Sequence, residues 1–196
     1  MSVELLLFDL GGVLVDFTGV RDIAALLSKP ASRADIVERW SHCPVSYAFG
    51  VGEIGPAEFA QRFVRDWGIT LEPEQFLREF RSWSRGFLSG ARELLDTLRP
   101  RFRLGAVSNS NEVHWARNAE LGVTQQFEFA VSSHQVGACK PDAAIFEAAL
   151  RRAGIAAEAV AYFDDLQENV DAATELGMRA FRTEGVEAVR NCVKML

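Results

Sequence analysis

The stretch Val3-Glu4-Leu5-Leu6-Leu7-Phe8-Asp9-Leu10-Gly11-Gly12 decides the fold. A short apolar run that stops at turn residues reads as a strand buried on both faces, the kind found in parallel sheets. Asp9 puts a carboxylate at the strand's end, and Gly11-Gly12 supply a flexible turn. The same arrangement recurs further along. Arg103–Val107 ends in Ser108-Asn109, and Ala159–Phe163 ends in Asp164-Asp165. Phe127–Ser132 and Arg179–Thr183 are two more candidate strands.

Helical patterns fill the gaps. Ser89 is placed to cap a helix reaching Leu98 before Pro100, and Asn111–Leu121 stops at Gly122. After Pro141, the residues Ile145, Phe146, Ala149, Leu150 and Ala153 form one stripe before Gly154, and Gln167–Leu176 stops at Gly177. Strands alternating with helices predict an α/β fold, a Rossmann-like parallel sheet covered on both faces. Residues 17–86 interrupt the alternation and read as helix after helix with no strand. Phe59, Phe63, Val64 and Trp67 make one stripe, and Phe76, Leu77, Phe80 and Trp83 another. The expected division is a core of residues 1–16 and 87–196 with a helical cap of residues 17–86.

Composition narrows the function. Of 196 residues, 48% are hydrophobic and 24% charged, as in an ordinary globular chain. The formal net charge of −6 disfavours nucleic acid as a partner. Three cysteines without metal-like spacing argue against a disulfide framework and for a reducing, cytoplasmic setting. The N-terminal apolar run is too short for a signal peptide or a membrane span.

Four polar clusters, Asp9, Ser108-Asn109, Lys140 and Asp164-Asp165, fall at or just after predicted strand ends. In a parallel sheet these ends share one edge, so the clusters converge there. Separated carboxylates beside a glycine turn suit a hard divalent cation, Mg²⁺. Lys140, the Ser108 hydroxyl and backbone N–H groups of Gly11 and Gly12 suit a phosphate.

In order, Phe8-Asp9-Leu10-Gly11-Gly12-Val13-Leu14, Val107-Ser108-Asn109, Lys140-Pro141-Asp142 and Phe163-Asp164-Asp165 resemble the four motifs of the haloacid dehalogenase-like hydrolase superfamily. The resemblance covers nearly the whole chain, and the long first gap matches a cap inserted after the first motif. It implies that Asp9 is a nucleophile forming an aspartyl-phosphate. It implies that Asp9, Asp164 and the Gly11 carbonyl bind Mg²⁺, with Asp165 and Asn169 supporting the metal directly or through water. Ser108 and Asn109 would bind phosphate, and Lys140 would bind phosphate and hold Asp9 ionised. The implied substrate is a small phosphorylated metabolite, handled by a monomer or homodimer.

Phosphatases of the superfamily usually carry a second Asp two residues after the nucleophile, where this chain has Gly11. Three readings fit, in this order of preference. The chain resembles a bacterial sugar-phosphate phosphatase subgroup, glucose-1-phosphate phosphatases included, that also shows Asp-Leu-Gly there. The run Ser108-Asn109-Ser110-Asn111-x-x-His114 resembles the same subgroup and makes His114 a substrate-site candidate. A metal-independent haloacid dehalogenase would also lack the second Asp, but would leave the Asp164-Asp165 pair unexplained. The third reading is a weakly active or inactive phospho-ligand-binding relative. Asp16 and Arg21, near the first turn, either face substrate or are solvated charges.

Overall fold

The structure is a computed structural model and describes residues 2–196. Along the chain run β1 (Leu5–Phe8), β2 (Val15–Phe17), α1 (Gly19–Leu26), α2 (Arg33–Ser41), α3 (Pro44–Gly50), α4 (Pro56–Trp67), α5 (Pro73–Ser82) and β3 (Ser84–Phe87). Then follow α6 (Ala91–Leu98), β4 (Arg103–Ser108), α7 (Glu112–Glu120), β5 (Phe129–Ser132), α8 (Ser133–Val136), α9 (Ala143–Ala153), β6 (Val160–Asp164), α10 (Gln167–Glu175), β7 (Arg179–Arg182) and α11 (Gly185–Val193).

The main sheet has the order β5-β4-β1-β6-β7, and every pairing is parallel. β1 is the central strand because it is apolar on both faces. Leu6 and Phe8 point into a layer packed by Leu94, Leu95, Val186 and Val189 of α6 and α11. Leu5 and Leu7 point the other way, against Ile145, Phe146 and Ala149 of α9 and Ala173 of α10. Successive strand residues face opposite sides, so one continuous apolar run fills both layers. Register then aligns the strand ends: Phe8 lies opposite Ala106 and Phe163, and Ser108 opposite Ser132.

Helices α1–α5 enclose a third apolar cluster that includes Phe49, Phe59, Phe63, Phe76, Phe80 and Trp83. Its rings stack closely, with centroids 4.3 Å apart for Phe49 and Phe59 and 5.2 Å for Phe63 and Phe76. Such pairs add specific geometry to the area they bury.

The expectation of no strand within residues 17–86 is wrong at both ends. β2 reaches Phe17, and β3 pairs with it antiparallel, with Val15 opposite Phe87 and Phe17 opposite Ser84. Val-Asp-Phe and Ser-Arg-Gly-Phe are too short to show a period of two, and each strand exists because the other is its partner. Ser89 does not cap α6. Gly90 precedes that helix with φ 81, in the left-handed region. No helix among the described residues is long and apolar enough to cross a membrane.

Candidate active site

The C-terminal ends of β1, β4 and β6 bring Asp9, Ser108 and Asp164 to one edge of the sheet. Lys140, on the loop before α9, reaches in between them. Its Nζ lies 2.7 Å from Asp9 Oδ1 and 2.7 Å from Asp164 Oδ2, and it donates to the Val107 carbonyl at 3.3 Å. Asn109 holds that loop: its Nδ2 donates to the Lys140 carbonyl at 2.9 Å and its Oδ1 accepts from the Lys140 N–H at 2.7 Å. Asn109, expected at the phosphate, thus spends its side chain on the lysine backbone.

Asp164 is fully buried and accepts four donors. Lys140 and the Tyr162 hydroxyl bind Oδ2, while Leu166 N–H (2.9 Å) and Asn169 Nδ2 (3.0 Å) bind Oδ1. Burial alone would raise its pKa, but the Lys140 charge and these hydrogen bonds outweigh burial and hold it low. At Asp9 the balance goes the other way. Burial pushes its pKa up to about 7, against the pull of Lys140 and with the further push of Asp164. One ammonium shared by two carboxylates therefore does not offset the desolvation of Asp9. Asp165, half-buried, is also raised, by burial and then by Asp164.

The glycine turn has a specific job. Gly12 has φ 76, and a Cβ there would sit 2.8 Å from Asp165 Oδ2. Only glycine combines that conformation with that approach. The Gly12 N–H donates to the Val15 carbonyl at 3.1 Å, and its carbonyl accepts from Gly185 N–H at 2.9 Å. The expectation that the Gly12 N–H meets a phosphate therefore gives way to a role in shaping the turn. Gly11 lines the cavity together with Asp9, Ser108, Lys140, Asp165 and Asn169.

His114 is buried on α7. Its ring stacks on Phe80 of α5 with centroids 4.1 Å apart. Its Nε2 lies 2.7 Å from the Phe80 carbonyl, and its Nδ1 lies 3.2 Å from Asn111 Nδ2. A neutral imidazole donating through Nε2 and accepting at Nδ1 satisfies both contacts, and burial pushes the pKa down to about 4. Nε2 therefore ties α7 to α5 and Nδ1 meets the cap residue of α7 itself, so both nitrogens are spent although the ring borders the cavity. Tyr162 was missed by the sequence reading because it sits inside an apolar strand run. Its spacing of two from Asp164 is the signal that places both on one side of the strand.

The donor set fits a hard divalent cation. Carboxylate oxygens of Asp9, Asp164 and Asp165 all lie within 4.8 Å of one another. Asn169 Oδ1 is buried without a hydrogen-bond partner, a free oxygen beside the carboxylates. Three carboxylates against one ammonium leave the cluster negative, and oxygen donors of this kind suit Mg²⁺. A cavity of about 620 Å³ opens above them.

Comparison with known proteins agrees with this geometry. The chain is 25% identical over 193 residues to a phosphatase of Mycobacterium tuberculosis, covering 92% of this chain and 87% of that one. It is 35% identical over 114 residues to a glyceraldehyde 3-phosphate phosphatase of Methanothermobacter thermautotrophicus, covering 56% of this chain and 50% of that one. A HAD family enzyme of Bacteroides thetaiotaomicron, solved with magnesium and inorganic phosphate, superposes with a TM-score of 0.75 at 24% identity, covering 93% of this chain and 95% of that one. The family model for haloacid dehalogenase-like hydrolases matches residues 3–177. That match spans all four polar clusters at the sheet edge, and the chain belongs to the haloacid dehalogenase-like hydrolases.

Proposed function

We propose that this chain is a Mg²⁺-dependent phosphatase that hydrolyses a small phosphomonoester, a sugar phosphate, by way of an aspartyl-phosphate on Asp9. The observation that carries the reading is the grouping of Asp9, Asp164 and Asp165 around one lysine at the floor of a cavity. The phosphatase names of two relatives, and the magnesium and phosphate bound by a solved neighbour, support it.

Asp9, Asp164, Asp165 and the Gly11 carbonyl would hold the metal, with Asn169 Oδ1 in reach of a bound water. Bound there, Mg²⁺ supplies positive charge that screens the carboxylates from the phosphate and stabilises the transferring group. Asp9 attacks phosphorus, and the bond to the leaving alcohol breaks as the bond to Asp9 forms. Water then attacks the same phosphorus, releasing inorganic phosphate and restoring the carboxylate. The Ser108 hydroxyl binds a phosphoryl oxygen, and Lys140 binds another by exchanging its long 3.3 Å bond to the Val107 carbonyl for the phosphate. Gly11 offers no side chain to protonate the leaving oxygen, which takes its proton from water, so the turn itself contributes shape rather than acid catalysis. Residues 17–86 act as the cap that closes over bound substrate and excludes water.

The test is phosphate release from a panel of sugar phosphates, nucleotides and flavin phosphate, with Mg²⁺ and again under full chelation. Release that needs the metal is expected. Activity surviving chelation, or halide release from a haloacid, would instead support a dehalogenase.

A further inference from the structure

The lining of the cavity over Asp9 draws on two chemically unlike sets of residues. Its floor carries Asp9, Asp165 and Glu184, with Lys140 as the cation. Its lining from β2, α1 and α2 includes Arg21 and Arg33 together with Phe17 and Trp40, and one carboxylate, Asp16. Arg33 and Trp40 are seven residues apart on α2 and so share a helix face, two turns from each other. Trp40 is anchored from behind, with ring centroids 5.4 Å from Phe63 and 6.2 Å from Trp67. Arg33 makes no ion pair among the described residues. Arg21 has only a contact at 3.5 Å with Asp22, and its side chain is 64% exposed.

Two guanidinium groups on a cavity wall are chemically specific. The planar fork matches a carboxylate or phosphate bidentately and offers a neutral hydroxyl much less. The chain as a whole is negative, so anion recognition at this wall must come from local cations. Asp9 and both arginines line the same cavity, whose volume of about 620 Å³ is enough for a small metabolite. We propose that Arg21 and Arg33 form a second anion subsite, so that the preferred substrate is a small phosphomonoester carrying a carboxylate or second phosphate at its far end. This rests on the phosphatase reading above and specifies its substrate class.

The test compares matched pairs that differ only at the far end: phosphoglycolate against ethyl phosphate, and ethylene bisphosphate against hydroxyethyl phosphate. The first pair reads a carboxylate, the second a phosphate. With Mg²⁺ and the full chain, kcat/KM should favour the charged member of at least one pair by roughly tenfold, the scale of one or two partly exposed charge pairs. In the Arg21→Gln, Arg33→Gln double variant that ratio should fall to near one. A ratio is taken within one protein preparation, so partial misfolding does not mimic the result. Equal use of both members by the unmodified protein, or a preference that survives the double variant, would overturn the subsite. Calorimetric binding of the same pairs to Asp9→Asn separates the two claims. Selective binding with no turnover by the unmodified protein would uphold the subsite and overturn the phosphatase reading. Turnover without selectivity would overturn the subsite alone.

Discussion

Asp164 has its two oxygens claimed by four donors, and the least expected of these is the Tyr162 hydroxyl. A donor that fixes a ligating carboxylate in one orientation acts on metal affinity without touching the metal. Tyr162→Phe keeps the ring and its edge-on contact with Phe146, whose centroid lies 5.3 Å away. The fold should therefore persist while Mg²⁺ binding weakens by about tenfold, the lower end of such outer-shell effects. Titration calorimetry checks this, and unchanged affinity would show that Tyr162 only fills space. At this scale the sequence was informative about residue type and order: Asp9, Ser108, Lys140 and Asp164 do meet. It was uninformative about commitments between neighbours. Asn109 and Gly12 looked like phosphate contacts, but one holds the Lys140 backbone and the other closes the turn onto Val15. Those partners lie on other segments or depend on φ, and spacing alone encodes neither.

Among the elements, α7 links the site to the helical segment. Asn111 caps it, with its side chain accepting from His114 N–H at 3.0 Å. His114 and Asn118, four residues apart on one buried face of the same helix, then meet Phe80 and Ser84, the latter through a Ser84 hydroxyl bond of 2.5 Å. Asn111→Ala should lower stability by about 1 kcal/mol, the usual cost of losing such a cap. Denaturant unfolding measures it, and a loss within error would mean another group caps the helix. The long alternating elements were legible because their apolar periodicity is strong. The antiparallel β2–β3 pair was not, since its stability comes from pairing across the whole helical segment. α11 is legible only in its buried stripe, where Val186, Val189 and Val193 carry a helical spacing.

For the whole molecule, buried His114 sets a pH limit. Above its ordinary pKa of 6.5 the imidazole is neutral in both folded and unfolded chains. As pH falls below 6.5, the unfolded chain takes up a proton that the folded chain refuses until about pH 4. Stability should therefore be lost across that window, by up to about 3 kcal/mol from this group. Unfolding measured at several pH values should show a flatter profile for His114→Gln than for the unmodified chain. Identical profiles would mean that His114 is not the group responsible. The negative charge of the molecule is also not all spread over the surface, because part of it is gathered at Asp9, Asp164 and Asp165, the cluster proposed to hold the cation. In the proposed reaction Asp9 carries the phosphoryl group in turnover. Acid-quenching the enzyme during steady-state hydrolysis with Mg²⁺, then mapping peptides by mass spectrometry, tests it directly. The peptide containing Asp9 should be one phosphoryl group heavier, and Asp9→Asn should yield neither this adduct nor phosphate release. Undiminished phosphate release by Asp9→Asn would contradict it.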